Sequence, residues 1–308
     1  MINYYELIPI DTLFFRGNTP MEAGLQNAAS MFPPPVSVIK GAFWTAYCSE
    51  KNIAFDKELV DGKIPIEIVS FFIKRGDKFY TKAPATWYYD SDKKAKCGKD
   101  LKGVSLCIAS EKQEEFASLN MISSAGDVVF AVPTKDAKSM LGMWVDIDFL
   151  QHPQKTFNED TVLFQKEIFA NESRTGIGLT QDKQVENGKL YTATHIRLTD
   201  DVSFVVGLDT DKSLSDNGKI LLGGEKRLVI YSKIASPELS TEKSEQYVSL
   251  VPIQATEENL SNIIASGKVF SVAGWDLQKG FHKPTVSWIP QGSVFNERLS
   301  GCIPLKNI

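Results

Sequence analysis

Three consecutive prolines, Pro33–Pro35, fix the conformation of the chain at one point. Proline locks its φ angle and lacks a backbone N–H, so this run is extended and cannot lie inside a helix. Immediately after it, apolar residues recur at four-residue spacing from Ile39 to Tyr47, which predicts a helix ending near Glu50. Ser37 is a residue type that caps helices, so the helix is predicted to begin there.

Strand-like segments lie on both sides of this helix. Asn3–Pro9 precedes it, and Ile64–Lys74, which is rich in β-branched and aromatic residues, follows it. A turn at Arg75–Lys78 leads to a further strand at Phe79–Tyr80. The order β, α, β, β predicts an α+β fold in which helices cover one face of an antiparallel sheet.

The second half of the chain repeats this alternation. Lys189–Leu198 and Val202–Leu208 alternate in polarity around Thr199–Asp201, which predicts a β-hairpin. A helix is predicted after Thr256 and is expected to close at Gly267. Further strands are predicted at Val162–Ala170, Leu228–Tyr231, Tyr247–Ile253, Thr285–Ile289 and Ser293–Phe295.

The length of 308 residues favours two domains. Thr134–Gln151 is predicted to hold helical turns that lead to a boundary near His152–Pro153. The sequence thus predicts an N-terminal module over residues 1–155 and a C-terminal module over residues 156–308. The segment 90–102 carries five lysines and few apolar residues, which indicates an exposed insertion in the first module.

Net charge limits the class of function. It is −4, so the chain as a whole does not present the basic field of a free-standing nucleic-acid binder, and any RNA must be held by a local groove. The four scattered cysteines form no C-x-x-C pair, which favours reduced, structural thiols. No signal segment or membrane-length apolar run is visible, which predicts a cytoplasmic protein without membrane contact. No cofactor or metal site is predicted, because the Asp-x-Asp pairs at 146–148 and 209–211 lack the remaining ligands.

The glycine pair Gly223–Gly224 is the first candidate for contact with a phosphate group. Glycine has no Cβ atom and lets a phosphate approach backbone N–H groups, while Lys226 and Arg227 supply positive charge. The spacing is not that of a Walker loop. The alternative is a structural turn with solvated basic side chains, which the residue types alone favour.

Two further segments supply candidates. Arg174–Gly176 combines a guanidinium, a hydroxyl and a permissive backbone, which suits a sugar–phosphate chain. On the predicted strand Lys189–Leu198, Tyr191, His195 and Arg197 fall on one face because side chains alternate, and this face would stack on bases and bind phosphates. The alternatives are a glycine-containing connection with a structural arginine for the first segment and half-buried sheet residues for the second.

Weaker candidates lie elsewhere. The N-terminus of the predicted helix at Ser37, with Lys40 in its first turn, suits an anion, although an ordinary N-cap is the commoner explanation. Lys283 stands beside His282 near a proline-bound turn, where surface residues are common. The lysines of segment 90–102 are most simply a solvated loop.

Several motifs, taken in order and spacing, resemble one family. They are Leu13-Phe14-Phe15-Arg16, Phe32-Pro33-Pro34-Pro35-Val36-Ser37 running into Gly41, Arg174-Thr175-Gly176-Ile177-Gly178-Leu179, Leu190-Tyr191-Thr192, Leu222-Gly223-Gly224-Glu225-Lys226-Arg227, and Gly274-Trp275 followed by Lys283-Pro284. Together they resemble the guide-capping subunit of the type III-B CRISPR (Cmr) effector complex, a member of the RAMP superfamily. They span almost the whole chain, and none is recognised between about residues 53 and 160.

The resemblance implies two ferredoxin-like (RRM-like) modules and a non-catalytic subunit that caps the repeat-derived 5′ handle of the guide RNA. It also implies partners, namely the large polymerase-domain subunit, the backbone RAMP subunits and, indirectly, target RNA. The loop after Arg16 departs from the family pattern, because Gly17–Thr19 carries no charge. The residues predicted to contact RNA are Arg16, Ser37, Lys40, Arg174, Thr175, Gly176, Tyr191, His195, Arg197, Gly223, Gly224, Lys226, Arg227 and Lys283.

Two other functions stay open. A RAMP-type metal-free endoribonuclease that processes CRISPR precursor RNA needs a base near the attacking 2′-hydroxyl. The histidines of the chain are His152, His195 and His282, and none sits in a nucleophile–base motif. The third function is a purely structural scaffold whose basic residues face protein partners.

Overall fold

A computed structural model gives the architecture of the chain. It describes residues 2–17, 28–53, 64–92, 101–111, 130–131, 136–179, 185–273, 275–276, 281–282 and 284–306. Two compact units interleave along the sequence: unit 1 comprises Met1–Ile68, Ile168–Ala235 and Ser271–Thr285, and unit 2 comprises Val69–Glu167, Ser236–Phe270 and Val286–Ile308. Both units take segments from each side of the predicted boundary between residues 155 and 156, and the division into two contiguous modules stays a prediction.

Strands dominate both units. In chain order they are β1 (Ile2–Pro9), β2 (Ala28–Ala29), β3 (Glu67–Arg75), β4 (Lys78–Lys82), β5 (Trp87–Asp90), β6 (Leu106–Ile108), β7 (Ser110–Glu111), β8 (Phe130–Ala131), β9 (Ala137–Ser139), β10 (Trp144–Asp146), β11 (Val162–Leu163), β12 (Phe169–Leu179), β13 (Val185–Leu198), β14 (Val202–Asp209), β15 (Asn217–Leu221), β16 (Leu228–Ile234), β17 (Tyr247–Ser249), β18 (Ile253–Gln254), β19 (Ile263–Ala265), β20 (Phe270–Val272), β21 (Trp275–Asp276), β22 (Phe281–His282), β23 (Val286–Ile289), β24 (Val294–Phe295) and β25 (Cys302–Pro304). The helices are α1 (Val36–Glu50), α2 (Ile147–Gln151), α3 (Gln165–Ile168) and α4 (Glu257–Ser261), and a 3-10 turn covers Gly224–Lys226. This mixture confirms the predicted α+β class. Within the ranges that the structure describes, no helix is both long enough and apolar enough to span a membrane.

The sheet of unit 1 is organised around β1. It pairs antiparallel with β14 on one side and with β16 on the other, and β15 pairs with β16. Helix α1 covers one face of this sheet: the ring of Phe43 lies 5.5 Å from that of Tyr5 and 5.6 Å from that of Tyr231, between ring centroids. All three aromatic side chains are buried, so they form the core between helix and sheet.

The opposite face of the same sheet carries exposed apolar side chains. Ile8 lies directly opposite Ile230 in the β1–β16 pair, and Leu221 lies opposite Leu228 in the β15–β16 pair. These four side chains are between 37% and 52% exposed, and Ile10, whose N–H donates to the carbonyl of Leu228, is 58% exposed. We call these five residues the apolar face.

A second, smaller sheet of unit 1 is a long ribbon of β12 and β13, with β2 parallel to β13. The segment Asp11–Gly17 crosses this ribbon, because Leu13 and Ile196 exchange two backbone hydrogen bonds of 2.8 Å. Phe14 from this segment is 3% exposed and packs with Ala28 and Ala193. The segment therefore joins the ribbon through both backbone and side chains.

Unit 2 contains a run of four strands, in the order β11, β10, β4 and β3, and several smaller sheets, and two of its buried residues are tryptophans. β3 and β4 form the predicted hairpin, with Gly76 in the left-handed region at φ 59°. β4 continues to β10 and β11, β5 pairs with β6 and β9, and β17 lies between β24 and β25. Trp87 and Trp144 have no exposed surface. The buried Gln291 amide donates to the carbonyl of Phe71 (2.8 Å) and to the hydroxyl of Thr81 (3.0 Å), which satisfies this donor inside the core.

Two predicted local features are wrong. Helix α1 begins at Val36 with Pro35 as its N-cap, so Ser37 lies inside the first turn and does not cap the helix. β13 pairs with β12 and not with β14, so the predicted hairpin around Thr199–Asp201 does not exist, and these residues carry the chain from one sheet to another. Alternating polarity identifies a strand, but it does not say which strand lies beside it.

Other predicted segments are divided more finely in the structure. Tyr247–Ile253 is split into β17 and β18, Val162–Ala170 into β11, α3 and the start of β12, and Thr134–Gln151 contains β9 and β10 before α2. Thr256 caps α4 as predicted, by accepting a hydrogen bond from the N–H of Asn259, but the helix ends at Ser261, before Gly267. Most of the lysine-rich segment, residues 93–100, lies outside the described residues.

Candidate nucleic-acid interface

The β12–β13 ribbon carries most of the residues of the candidate site. Its register places Glu172 opposite His195 and Arg174 opposite Ala193. Because side chains alternate along a strand, Glu172 and Arg174 share one ribbon face with His195 and Arg197. The sequence therefore predicted correctly that His195 and Arg197 lie on one face, and the structure adds two charged residues from the neighbouring strand.

Asp11, which follows β1, reaches this face and contacts both arginines of the ribbon. Its Oδ2 atom accepts from Nη2 of Arg174 (3.2 Å), and its Oδ1 atom accepts from Nη2 of Arg197 (3.0 Å). Glu172 contacts the same two guanidiniums: Oε1 accepts from Nη2 of Arg174 (2.8 Å) and Oε2 accepts from Nε of Arg197 (2.6 Å). Two carboxylates thus hold two guanidiniums in fixed positions.

The turn before β16 adds a third arginine. Nη1 of Arg227 donates to Oδ2 of Asp11 (3.1 Å), and Nη2 donates to Glu225 in a short hydrogen bond. The Arg227 side chain is 17% exposed, against 34% for Arg174 and 49% for Arg197. We call the set the arginine network; its members are Asp11, Glu172, Arg174, Arg197, Glu225 and Arg227.

The charges of the arginine network balance, with three guanidiniums against three carboxylates. The hydrogen bond from the Thr12 N–H, followed by the guanidiniums of Arg174 and Arg197, lowers the pKa of Asp11 to about 2. The same two arginines lower the pKa of Glu172. Asp11 and Glu172 are therefore ionised at neutral pH, and the local surface is not simply basic.

His195 lies beneath the network and not on its surface. Its side chain has no exposed area, and its ring stacks on that of Phe14 at 5.1 Å between centroids. Nδ1 forms a hydrogen bond with the Thr12 hydroxyl (3.1 Å), and Nε2 lies 3.5 Å from Oε1 of Glu225. The prediction that His195 is displayed to stack on a base is wrong, because the segment Asp11–Gly17 covers the ring.

The glycine loop packs against the same segment. Gly223 has φ 79°, and a Cβ atom there would lie 2.5 Å from the carbonyl oxygen of Phe14, so only glycine fits. The N–H of Gly224 donates to that same oxygen at 2.7 Å and is not free for a phosphate. The structural turn, which was the alternative interpretation of this pair, therefore describes Gly224 correctly. Lys226 is exposed at the end of the turn.

The remaining predicted residues fall in different places. Thr175 is exposed beside Arg174, and Gly176 pairs with Tyr191 across the ribbon. Arg16 is exposed and bridges to Ser30 through the backbone. The side chain of Tyr191 and the whole of Lys283 lie outside what the structure describes.

Ser37 and Lys40 are not part of the arginine network. Ser37 is exposed in the first turn of α1, and the Lys40 ammonium donates to Oε1 of Glu67 at 2.7 Å. No contact joins either residue to the network among the described residues. The structure therefore brings together Arg174, His195, Arg197, the glycine pair, Lys226 and Arg227, and it leaves the first turn of α1 apart.

Sequence reasoning missed the three carboxylates of the arginine network. Glu172 stands two residues before Arg174, but the predicted strand ends at Ala170, so the shared face follows only from the observed extension of β12 to Leu179. No signal existed for Asp11 either, since it lies 163, 186 and 216 residues from its three arginine partners.

Metal and thiol chemistry give no further candidate. Within the described ranges, no group of three or more His, Cys, Asp or Glu side chains is placed to hold a metal ion. Cys48 and Cys302 are buried free thiols, and Cys97 lies outside the described residues. Burial raises the pKa of Cys302 to about 12, so this thiol stays protonated.

Comparison with known proteins supplies independent information. Residues 5–259 match the model of a family described as CRISPR-associated protein (Cas_Cmr3). No curated protein matches the sequence. The fold is similar to a chain in the cryo-EM structure of the Type III-B Cmr-beta bound to cognate target RNA and AMPPnP, state 1, with TM-score 0.58 and 18% identity over 95% of this chain and 85% of that chain. A chain of Type III-B Cmr-beta bound to cognate target RNA is also similar, with TM-score 0.55 and 17% identity over 95% of this chain and 86% of that chain.

Proposed function

Because this chain belongs to the Cas_Cmr3 family of CRISPR-associated proteins, we propose that it is a non-catalytic RNA-binding subunit of a type III-B CRISPR ribonucleoprotein. In this role it caps the repeat-derived 5′ handle of the guide RNA and docks the large polymerase-domain subunit. Family membership confirms the resemblance that the sequence motifs indicated. The observation that carries the RNA-binding role is the convergence of Arg174 from β12, Arg197 from β13 and Arg227 from the turn before β16 on one surface of unit 1.

Three adjacent guanidiniums suit a phosphate backbone. A guanidinium donates paired hydrogen bonds to phosphate oxygens and keeps its charge at any physiological pH. The present carboxylate partners do not prevent this, since exposed ion pairs contribute only about 0–1 kcal/mol each. RNA phosphates can therefore replace the carboxylates at modest cost.

One exposed basic residue extends this surface. Lys226 lies beside Arg227 and offers an ammonium. Thr175 is exposed but follows Arg174 directly on β12, so its side chain lies on the other face of the ribbon. Neither Lys226 nor Arg16 forms an ion pair within the part of the chain that the structure describes. His195, Gly223 and Gly224 support the site from beneath and do not themselves contact RNA in this proposal.

The non-catalytic character rests on the histidines. A metal-free ribonuclease needs a base within hydrogen-bond reach of the 2′-hydroxyl. His195 has no exposed surface, and His152 is exposed in unit 2. We expect no specific cleavage when the purified chain is incubated with repeat RNA, whereas cleavage that is abolished in His152→Ala or His282→Ala would favour the endoribonuclease.

The apolar face supports the docking role. A free monomer rarely leaves a contiguous apolar patch of this kind uncovered. It adjoins the arginine network at Ile10–Asp11 and at Arg227–Leu228, so a protein partner seated on it lies next to RNA held by the arginines. We assign this face to the large polymerase-domain subunit that the family resemblance implies; the backbone RAMP subunits bind elsewhere on the chain.

Co-purification tests the docking role. Ile230→Asp is expected to reduce recovery of the large subunit at least several-fold, because a charge in an apolar interface is costly. Leu260→Asp is the matched control, since Leu260 is also 38% exposed but lies in α4. Equal recovery with both variants contradicts the assignment.

Fluorescence anisotropy with a synthetic guide-handle RNA tests the RNA-binding role. We expect Arg174→Gln and Arg227→Gln each to weaken binding about tenfold, because each change removes one cation that pairs with a phosphate. The slope of log affinity against log salt should become shallower by roughly 0.7 for each phosphate whose cationic partner is removed.

The control for these variants is Arg298→Gln in unit 2, which removes the same charge from an exposed arginine outside the arginine network. It should change affinity less than about twofold, the size expected of a distant surface charge. Equal affinities for all three variants and the unaltered chain would remove the arginine network from the RNA site and leave the scaffold function.

A further inference from the structure

Asp11 occupies the centre of the arginine network. One carboxylate accepts hydrogen bonds from three guanidiniums, at 3.0 Å from Arg197, 3.1 Å from Arg227 and 3.2 Å from Arg174. Convergent guanidiniums are what a phosphate group requires. The Asp11 side chain therefore stands where an oxyanion ligand would bind.

The two glutamates of the network have a different position. Glu172 contacts the Nε edge of two guanidiniums, through Nε (3.0 Å) and Nη2 (2.8 Å) of Arg174 and Nε of Arg197 (2.6 Å). Glu225 contacts Nη2 of Arg227, whereas Nη1 of the same residue donates to Asp11. Each glutamate thus orients one or two guanidiniums, whereas Asp11 contacts all three and shares Nη2 of Arg174 with Glu172.

We propose that Asp11 is an internal competitor for the RNA phosphate, and that binding of one phosphodiester group displaces its carboxylate from the three arginines. This inference rests on the proposed RNA-binding function. It specifies where one phosphate group of the RNA binds and which residue controls access to that position. Only an RNA that makes further contacts elsewhere overcomes the competition, so Asp11 sets the selectivity of the site.

The backbone around Asp11 allows this exchange. The N–H of Ile10 donates to the carbonyl of Leu228 (3.2 Å), and the N–H of Leu13 donates to the carbonyl of Ile196 (2.8 Å). The main chain is thus fixed on both sides, while the Asp11 side chain is 44% exposed and can rotate about its own bonds into solvent. Displacement needs a rotamer change and no refolding.

Asp11→Asn removes the negative charge and keeps one oxygen that can accept from the guanidiniums. We expect this variant of the full chain to bind a labelled synthetic handle RNA about three- to tenfold more tightly in fluorescence anisotropy. The slope of log affinity against log salt should steepen by roughly 0.7, the value for one phosphate contact on a single strand. In the double variant Asp11→Asn with Arg227→Gln, the gain should be reduced or abolished, because the two residues act on the same phosphate.

The matched control is Asp211→Asn. Asp211 is 75% exposed, lies in unit 1 and pairs with Lys212, so this change removes an equal charge away from the arginine network. A gain in Asp11→Asn no larger than in Asp211→Asn overturns the inference, since it would be a general charge effect. Weaker binding by Asp11→Asn overturns it too, because Asp11 would then hold the arginines in place for RNA.

The outcomes also separate this inference from the proposed function. If Arg174→Gln and Arg227→Gln weaken binding but Asp11→Asn does not strengthen it, the site binds RNA and only the competition is wrong. If none of the arginine variants affects binding, the proposed function itself fails at this site. Circular dichroism of each variant at the assay temperature verifies that it is folded.

Discussion

The arginine network lies on a set of residues that we call the packed layer: Phe14, His195, Gly223 and Gly224. Different interactions stabilise the network and the packed layer. The three arginine side chains of the network are between 17% and 49% exposed, and ion pairs join them to the carboxylates. In the packed layer, Phe14 is 3% exposed and His195 has no exposed surface, so contact shape decides which residues fit.

A surface site can thus exchange its ion-pair partners for a ligand while its backbone stays in a fixed position. The ion pairs of the arginine network can be replaced by a ligand because each contributes little in water. The packed layer keeps the turn that carries Glu225 and Arg227 against the segment that carries Asp11, through the hydrogen bond from Gly224 to Phe14. Substitutions in the layer should therefore act on stability, and substitutions in the network on binding.

Phe14→Ala should show the largest effect. It removes a packed-layer ring that contacts His195 and packs with Ala28 and Ala193 of the ribbon sheet. We expect a loss of about 3–5 kcal/mol in the free energy of unfolding, typical of a buried Phe→Ala change. Urea denaturation followed by circular dichroism measures it. Arg197→Ala, in the exposed network, should cost about 1 kcal/mol or less. Similar losses in the two variants would erase the distinction between layer and network.

Gly223→Ala comes next in size. A Cβ atom at 2.5 Å from the Phe14 carbonyl, on a backbone with φ 79°, should cost about 2 kcal/mol or more in the free energy of unfolding. Gly76→Ala is the matched control: its φ is also positive, at 59°, but nothing lies within 4 Å of the added Cβ. Only backbone strain remains there, at about 1 kcal/mol. A smaller loss at Gly223 than at Gly76 in thermal or urea unfolding would show that the layer is loosely packed.

The pH dependence of stability should show the smallest effect. Burial lowers the pKa of His195 below its ordinary value of 6.5, helped by the charges of Arg227 and Arg174 and opposed by Glu225. The folded protein then binds this proton less readily than the unfolded chain, so its stability falls as pH drops below about 6.5. The pKa of Asp11, by contrast, is lowered from an ordinary value of 3.8. The contribution of the ionised Asp11 carboxylate to stability is therefore lost only as the pH falls below that value.

We therefore expect the Tm to decrease between pH 6.5 and pH 5, and to decrease less in His195→Gln. The quantity to compare is the change of Tm with pH in each protein, because His195→Gln also changes stability at every pH. An unchanged slope in His195→Gln would assign the titration in this range to another group.

The sequence was sufficient to predict the main helix, several strands and the arginines of the site. It was not sufficient to predict which residues surround those arginines. Periodicity correctly predicted β1, α1 and the β3–β4 hairpin, because burial of one face imposes a regular pattern on a helix or strand. Alternation correctly placed His195 and Arg197 on one face. It could not tell that the segment Asp11–Gly17 covers His195 and leaves Arg197 exposed, because that segment comes from the other end of the chain.

Residue type was misleading where one chemistry serves two purposes. Glycine, imidazole and guanidinium all occur in RNA-binding sites, so Gly224 and His195 were candidates for phosphate contact and base stacking, and the family resemblance favoured that function over a structural turn and half-buried sheet residues. In the structure, the Gly224 N–H is already bonded to Phe14, and the imidazole is stacked on the same residue. A tight turn and a binding loop share the same glycines, and only the position of a neighbouring carbonyl separates them.

The position of β1 between β14 and β16 has a consequence for the order of events during synthesis. Tyr5 pairs with Val206 on one side and with Lys233 on the other, so β1 leaves the ribosome some two hundred residues before either neighbour exists. Its apolar side chains need another cover during that interval, such as a chaperone or transient contacts with the nascent chain. A fragment of residues 1–155 should for the same reason aggregate when expressed alone.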